Sequence, residues 1–104
     1  MLVYDTFILM FDALDTIYDE NPNVELGNYL SGLNPFLFEG EGSADPAEYD
    51  EFKNAYMKSF NNTLPSAKET YYFCKDYLKK NSPKQVIKAF EQINIDDWIA
   101  SVEE

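Results

Sequence analysis

"DPAEYDEFKNAYMKSF", residues 45–60, decides the fold class. Asp45 stands as an N-cap and Pro46 suits the first helical position, where its missing N–H leaves nothing unpaired. Glu48 follows as the third helical residue, a variant of the capping box. Tyr49, Phe52, Tyr56 and Phe60 then recur at spacings of three and four, which puts their rings on one side of a helix. The segment predicts a helix over 46–60 with an aromatic inner edge.

The same periodicity extends in both directions. With each residue rotated by about 100°, Val3, Phe7, Met10, Leu14, Ile17 and Tyr18 fall within about 60° of Leu14, a well-formed apolar stripe. This predicts a helix over 2–19, stopped at Asn21-Pro22 because proline lacks the N–H and pushes its predecessor out of helical angles. A shorter helix over 24–32 carries Val24, Tyr29, Leu30 and Leu33, against the weakening effect of Gly27 and Gly32. Downstream, Ala67, Tyr71, Cys74 and Leu78 lie in line on a helix over 65–80. Ser82-Pro83-Lys84-Gln85 repeats the cap and proline signature and opens a fifth helix through Val86, Ile87, Phe90 and Ile93. Asp96 is placed to cap a last turn with Trp98 and Ile99. The expected architecture is all-α, a compact bundle of five or six short helices forming a single domain over residues 1–104, without repeat or linker. The alternative is an α+β fold with a short strand near 36–39 or within 2–11.

A chain of 104 residues with 45% apolar side chains buries enough surface to offset its ordering entropy, so it is expected to fold. Nineteen acidic residues against eight basic ones give a net charge of −11, and there is no histidine and no arginine. All eight lysines lie beyond residue 52, whereas twelve acids precede it. Such a field repels phosphate backbones and anionic lipid, which argues against nucleic-acid and membrane-surface binding and favours a basic partner. Its plainest alternative role is solubility. The apolar run Thr6–Phe11 is too short for a signal peptide or a membrane span, so the expected location is cytoplasmic.

The residue inventory leaves little room for catalysis. One cysteine, Cys74, permits neither an internal disulfide nor a multi-cysteine metal site. Lying on an apolar helix face with no histidine to activate it, Cys74 reads as a small buried hydrophobe and not as a nucleophile. Without histidine or arginine there is no ready general base and no bidentate anion clamp. No enzyme activity, cofactor or metal is expected.

The connector "NPFLFEGEGSADP", residues 34–46, asks for separate treatment. Glu39, Glu41, Ser43, Asp45 and Asp50 imitate calcium-loop spacing, but Ala44 stands where the loop needs glycine and Asp50 where it needs a bidentate glutamate. A phosphate cradle is excluded by the glutamates alternating with Gly40 and Gly42. Phe36, Leu37 and Phe38 are too apolar for a loop unless they cover the core or a partner covers them, and core cover is the simpler expectation. Glu39, Glu41 and Asp45 would then rim that cover.

What remains is recognition. Asp5, Asp12, Asp15 and Asp19 project opposite the apolar stripe of the first helix, a row of carboxylates with no lysine at helical neighbour spacing and with Ile8 and Leu9 beside it. Lys68, Lys75 and Lys79 form a complementary stripe on the fourth helix, which allows pairing within one molecule or across a homodimer. In composition the chain looks like the small acidic inhibitors with which bacteria neutralise basic toxins or nucleases. In those proteins carboxylates occupy the surface that would otherwise hold substrate phosphates. The expected function is an acidic protein-binding module of that kind, with Asp5, Asp12, Asp15, Asp19, Glu39 and Glu41 as electrostatic contacts and Phe36 and Phe38 as anchors. The alternative is an adaptor or self-associating domain that uses aromatic helix faces and the Trp98 tail.

Overall fold

Six α-helices follow one another in the computed structural model, which describes residues 1–37 and 40–103. They are α1 (Val3–Glu20), α2 (Val24–Leu33), α3 (Pro46–Phe60), α4 (Ala67–Asn81), α5 (Lys84–Glu91) and α6 (Ile95–Glu103), with one 3-10 turn at Pro35–Leu37. The fold is all-α, and no strand occurs among the described residues. Residues 3–11 belong to α1, with Leu2 as its N-cap, and residues 35–37 to the 3-10 turn, so neither segment forms the alternative strand as far as it is described.

The helices wrap one core. The inner side of α1 contributes Phe7, Met10, Phe11 and Leu14, α2 contributes Leu26, Leu30 and Leu33, and α3 contributes the expected Tyr49, Phe52 and Tyr56. Phe52 sits at the centre of an aromatic cluster, edge-on to Phe7 at 5.2 Å, to Phe73 at 5.4 Å and to Tyr77 at 5.2 Å. Such edge-to-face pairs contribute about 0.5–1.5 kcal/mol each beyond area burial. A second cluster joins the C-terminal helices, where Trp98 meets Tyr71 at 5.9 Å and Phe90 at 5.8 Å. The radius of gyration, 12.7 Å, matches the roughly 13 Å of a compact chain this long.

Packing sorts the helices. α1 packs mainly on α2, α3 and α5, whereas α4 packs on α3, α5 and α6. The lysine stripe of α4 therefore does not lie across a main packing seam from the acidic row of α1. The α1–α2 contact depends on Gly27, because a Cβ there would come within 2.9 Å of the Tyr18 ring.

The caps divide into expected and corrected. Asp45 caps α3 by accepting from the Ala47 N–H (3.1 Å), with Pro46 following as expected. The Asp45 N–H, which the capping box would give to Glu48, donates instead to the Gly32 carbonyl (2.8 Å) and ties the loop to α2. A complete capping box occurs at α4, where Ser66 and Glu69 bond reciprocally. Ser82 does not open α5. It is the C-cap of α4, its hydroxyl donating to the Leu78 carbonyl (2.7 Å). The α5 start is covered from α2, with Glu25 Oε1 accepting from the Gln85 N–H (2.9 Å), a carboxylate at the favoured end of the helix dipole. Likewise Asn94, not Asp96, begins α6, accepting from the Asp96 N–H at 2.7 Å.

Four side chains depart from their expected places. Val24 is exposed and Leu26 takes the inward position on α2. Phe36 and Leu37 do not cover the core; they are 64% and 73% exposed. Asn34 Oδ1 accepts from the Phe36 N–H (2.9 Å) and shapes a turn that buries Pro35 and aims the next two residues outward. Trp98, taken in the adaptor reading as part of an outward tail, is 2% exposed and donates from Nε1 to Thr70 Oγ1 (3.1 Å).

Candidate functional site

Three depressions follow one another along α1. The first, of about 250 Å³, lies at the start of the helix and is lined by Leu2, Asp5, Glu41, Met57, Phe60 and Leu64, among others. The second, about 300 Å³, continues through Asp5, Ile8, Leu9 and Asp12 to Val102 of α6. The third, about 400 Å³, runs between α1 and α6 with Asp12, Thr16, Glu20 and Asp97 on its walls. Neighbours in the series share residues: Asp5 joins the first to the second, and Leu9 and Asp12 join the second to the third. The result is one interrupted groove, beginning beside α3 and following the seam to α6. Among the described residues none of its lining side chains is a lysine.

Local sequence accounts for this. Asp5 and Asp12 are seven residues apart, two helical turns, and so stand almost one above the other. Ile8 and Leu9 lie between them, half-buried where α6 approaches. α1 and α6 do not form one of the main packing pairs, so the seam stays open. Burial lifts the Asp12 carboxyl above the usual aspartate range, and the negative charge of Asp15 adds to the lift. The cationic group on the described lining is the Met1 amino group, which donates to the Pro65 carbonyl (3.0 Å). The last turn of α1 also carries no basic residue, so Asp19 and Glu20 face the negative end of the helix dipole.

The expected contact residues separate. Asp5, Asp12 and Glu41 come together on the groove. Asp15 instead lines a depression of about 480 Å³ between α1 and α2, together with Phe11 and Val24. Asp19 is exposed at the end of α1 and belongs to none of these depressions. Phe36 leans edge-on against Phe11, ring centres 5.8 Å apart, and so sits by the α1–α2 side and not on the acidic groove. Phe38 and Glu39 lie outside the described residues. Sequence reasoning missed Glu20, Asp97, Met57 and Leu64. Glu20 ends α1 itself, whereas Asp97 on α6, Met57 on α3 and Leu64 in the α3–α4 connection reach α1 only through packing, which no local periodicity announces.

Elsewhere the chemistry is spare. Cys74 is fully buried and burial pushes its thiol pKa well up, as suits a core residue. Among the described residues no three potential ligands converge on a metal position. No described helix is long and apolar enough to cross a membrane. Comparison of the chain with protein-family models, with curated proteins and with solved structures returns no match.

Proposed function

We propose that this small helical domain is a non-enzymatic, acidic protein-binding module, acting in the cytoplasm, whose α1 face captures a basic partner. Inhibition of a toxin or nuclease, as by an immunity protein, is the use that suits such a face. The observation that carries the reading is the lysine-free groove along α1, in which Asp5, Asp12, Glu20, Glu41 and Asp97 alternate with Ile8, Leu9 and other apolar side chains. A partly apolar floor with a charged edge is the anatomy of a protein interface. The arrangement also opposes stability, since like charges one turn apart and acids at a helix C-terminus both destabilise. Solubility alone does not require carboxylates in such positions.

The test is affinity capture from the source cell, eluted in a salt gradient, with wild type beside the Asp5→Asn/Asp12→Asn double variant. The expected result is a basic protein held by wild type, released at intermediate salt and lost by the variant. Equal capture by both, or release indifferent to salt, overturns the reading.

A second reading is an adaptor or self-associating domain. It is favoured by Phe36, exposed beside Phe11, by the exposed Leu37 next to it in sequence, and by the exposed Val24 on the α1–α2 depression. An apolar interface of that kind would be nearly indifferent to ionic strength, whereas electrostatic capture slows as salt rises.

A further inference from the structure

We infer that the depression at the start of α1 is an anchor pocket. It takes one large apolar side chain from a basic segment of the partner, while a lysine or arginine of the same segment meets Asp5 and Glu41 on its rim. The inference rests on the acidic-groove reading above and adds how the partner is gripped.

Three of the protein's exposed large apolar side chains gather at this one place. Leu2 is 61%, Met57 48% and Leu64 72% exposed, and all three line the same depression with Phe60. Leu2 comes from the start of the chain and Met57 and Leu64 from the end of α3 and the connection after it, so their meeting is a product of the fold. Leu64 is held outward by its neighbours: Asn61 and Asn62 take left-handed backbone angles (φ 43° and 69°) at the end of α3, and Pro65 is buried after it.

The floor points to an apolar occupant. The Tyr56 hydroxyl donates to the Met1 carbonyl and lies 3.3 Å from Thr6 Oγ1, which donates to the Leu2 carbonyl at 3.0 Å. These hydroxyls and carbonyls bond within the protein, so an apolar guest over them strips no water from an unpaired donor there. The volume of about 250 Å³ falls below the roughly 300–1,000 Å³ of clefts that enclose small molecules. One aromatic or long aliphatic side chain suits it, the kind of buried anchor that dominates many interfaces. Charge selects the rest of the segment. Asp5 and Glu41 line it without a lysine, the Met1 amino group there is engaged by the Pro65 carbonyl (3.0 Å), and the groove continues toward Asp12 along the same helix.

The probes are a short lysine-rich peptide carrying one tryptophan and the same peptide with serine in its place, each titrated calorimetrically into the whole protein. The tryptophan peptide is expected to bind about tenfold tighter or more. Leu64→Ser and Met57→Ser, both at exposed side chains and so tolerated by the fold, should each erase that preference. Asp5→Asn/Asp12→Asn should weaken both peptides alike. If both peptides bind wild type equally, the anchor pocket is refuted while the acidic groove stands. If neither binds, or binding ignores salt, both ideas fail. If the protein alone dimerises and Leu64→Ser abolishes the dimer, the occupant is a second copy and the inference is overturned.

Discussion

Asp12 shows most plainly what the acidic face costs. Burial, and then Asp15, raise its carboxyl above the ordinary value of 3.8. The folded state therefore holds this proton more tightly than the unfolded state does. Its contribution is favourable at low pH and is lost as pH rises from about that value through the raised one. Glu48, raised by burial and by the charges of Asp45 and Glu51, works in the same direction. Glu69 works oppositely: its bonds to the Ser66 backbone and hydroxyl lower its pKa, so its contribution is present above 4.5 and disappears as pH falls. Asp12→Asn should raise stability at neutral pH by about 0.2–0.5 kcal/mol, the scale of a solvent-screened like-charge pair, and flatten the pH profile of the urea midpoint above pH 4. A different residue tests the core. The Tyr77 hydroxyl is buried without a hydrogen-bond partner among the described residues, and an unpaired buried hydroxyl costs about 1–3 kcal/mol. Tyr77→Phe should accordingly stabilise by about 1 kcal/mol in the same denaturation experiment.

At the scale of the element, the helices were legible because their apolar spacing is strong. The aromatic edge of α3 and the Cys74 line of α4 lie inward as their periods require. Boundaries were harder where two helices meet. Ser82-Pro83 reads identically whether the serine closes α4 or opens α5, and with so short a connection only the observed bond to Leu78 decides. Asn94 and Asp96 are two candidate caps two residues apart, and Asn94 takes the role. Gly27 looked like a weakness in α2 but is the close approach that admits Tyr18. Gly27→Ala gains about 1 kcal/mol of helix propensity in an open site. That gain should be missing in wild type and should appear once Tyr18→Ala removes the ring, a non-additivity that a double-mutant cycle reads directly. The C-terminus of α1 gives a second test. Asp19→Lys replaces an exposed acid with a cation at the negative end of the dipole and should stabilise by about 0.3–1 kcal/mol, measurable as a higher thermal midpoint at low ionic strength.

For the whole molecule, the charge imbalance was visible in the sequence, but its geometry was only half visible. The spacing of Asp5 and Asp12 places them together from sequence alone, whereas Glu41 and Leu64 reach the groove through loops, and Asp97 and Met57 arrive on other helices. Tertiary packing also removed two expectations, taking Trp98 into the core and leaving Phe36 on the opposite flank from the acidic groove. Trp98 joins α4 to α6 through Thr70, so Trp98→Ala should cost about 3–5 kcal/mol. Against the total of about 5–15 kcal/mol typical of a domain, that loss should appear as a large fall in thermal midpoint.

The central claim concerns where the negative charge lies and not how much there is. The most direct measurement is the association rate of a lysine-rich peptide over ionic strengths from about 0.01 to 1 M, for three proteins. These are wild type, Asp5→Asn/Asp12→Asn/Asp97→Asn on the groove, and Asp50→Asn/Asp76→Asn/Glu91→Gln at exposed positions away from it, the two variants carrying equal net charge. The account predicts a rate that falls steeply with salt for wild type and for the off-groove variant, and a slow, nearly flat rate for the groove variant. Equal losses in the two variants would show that only net charge matters and would contradict it.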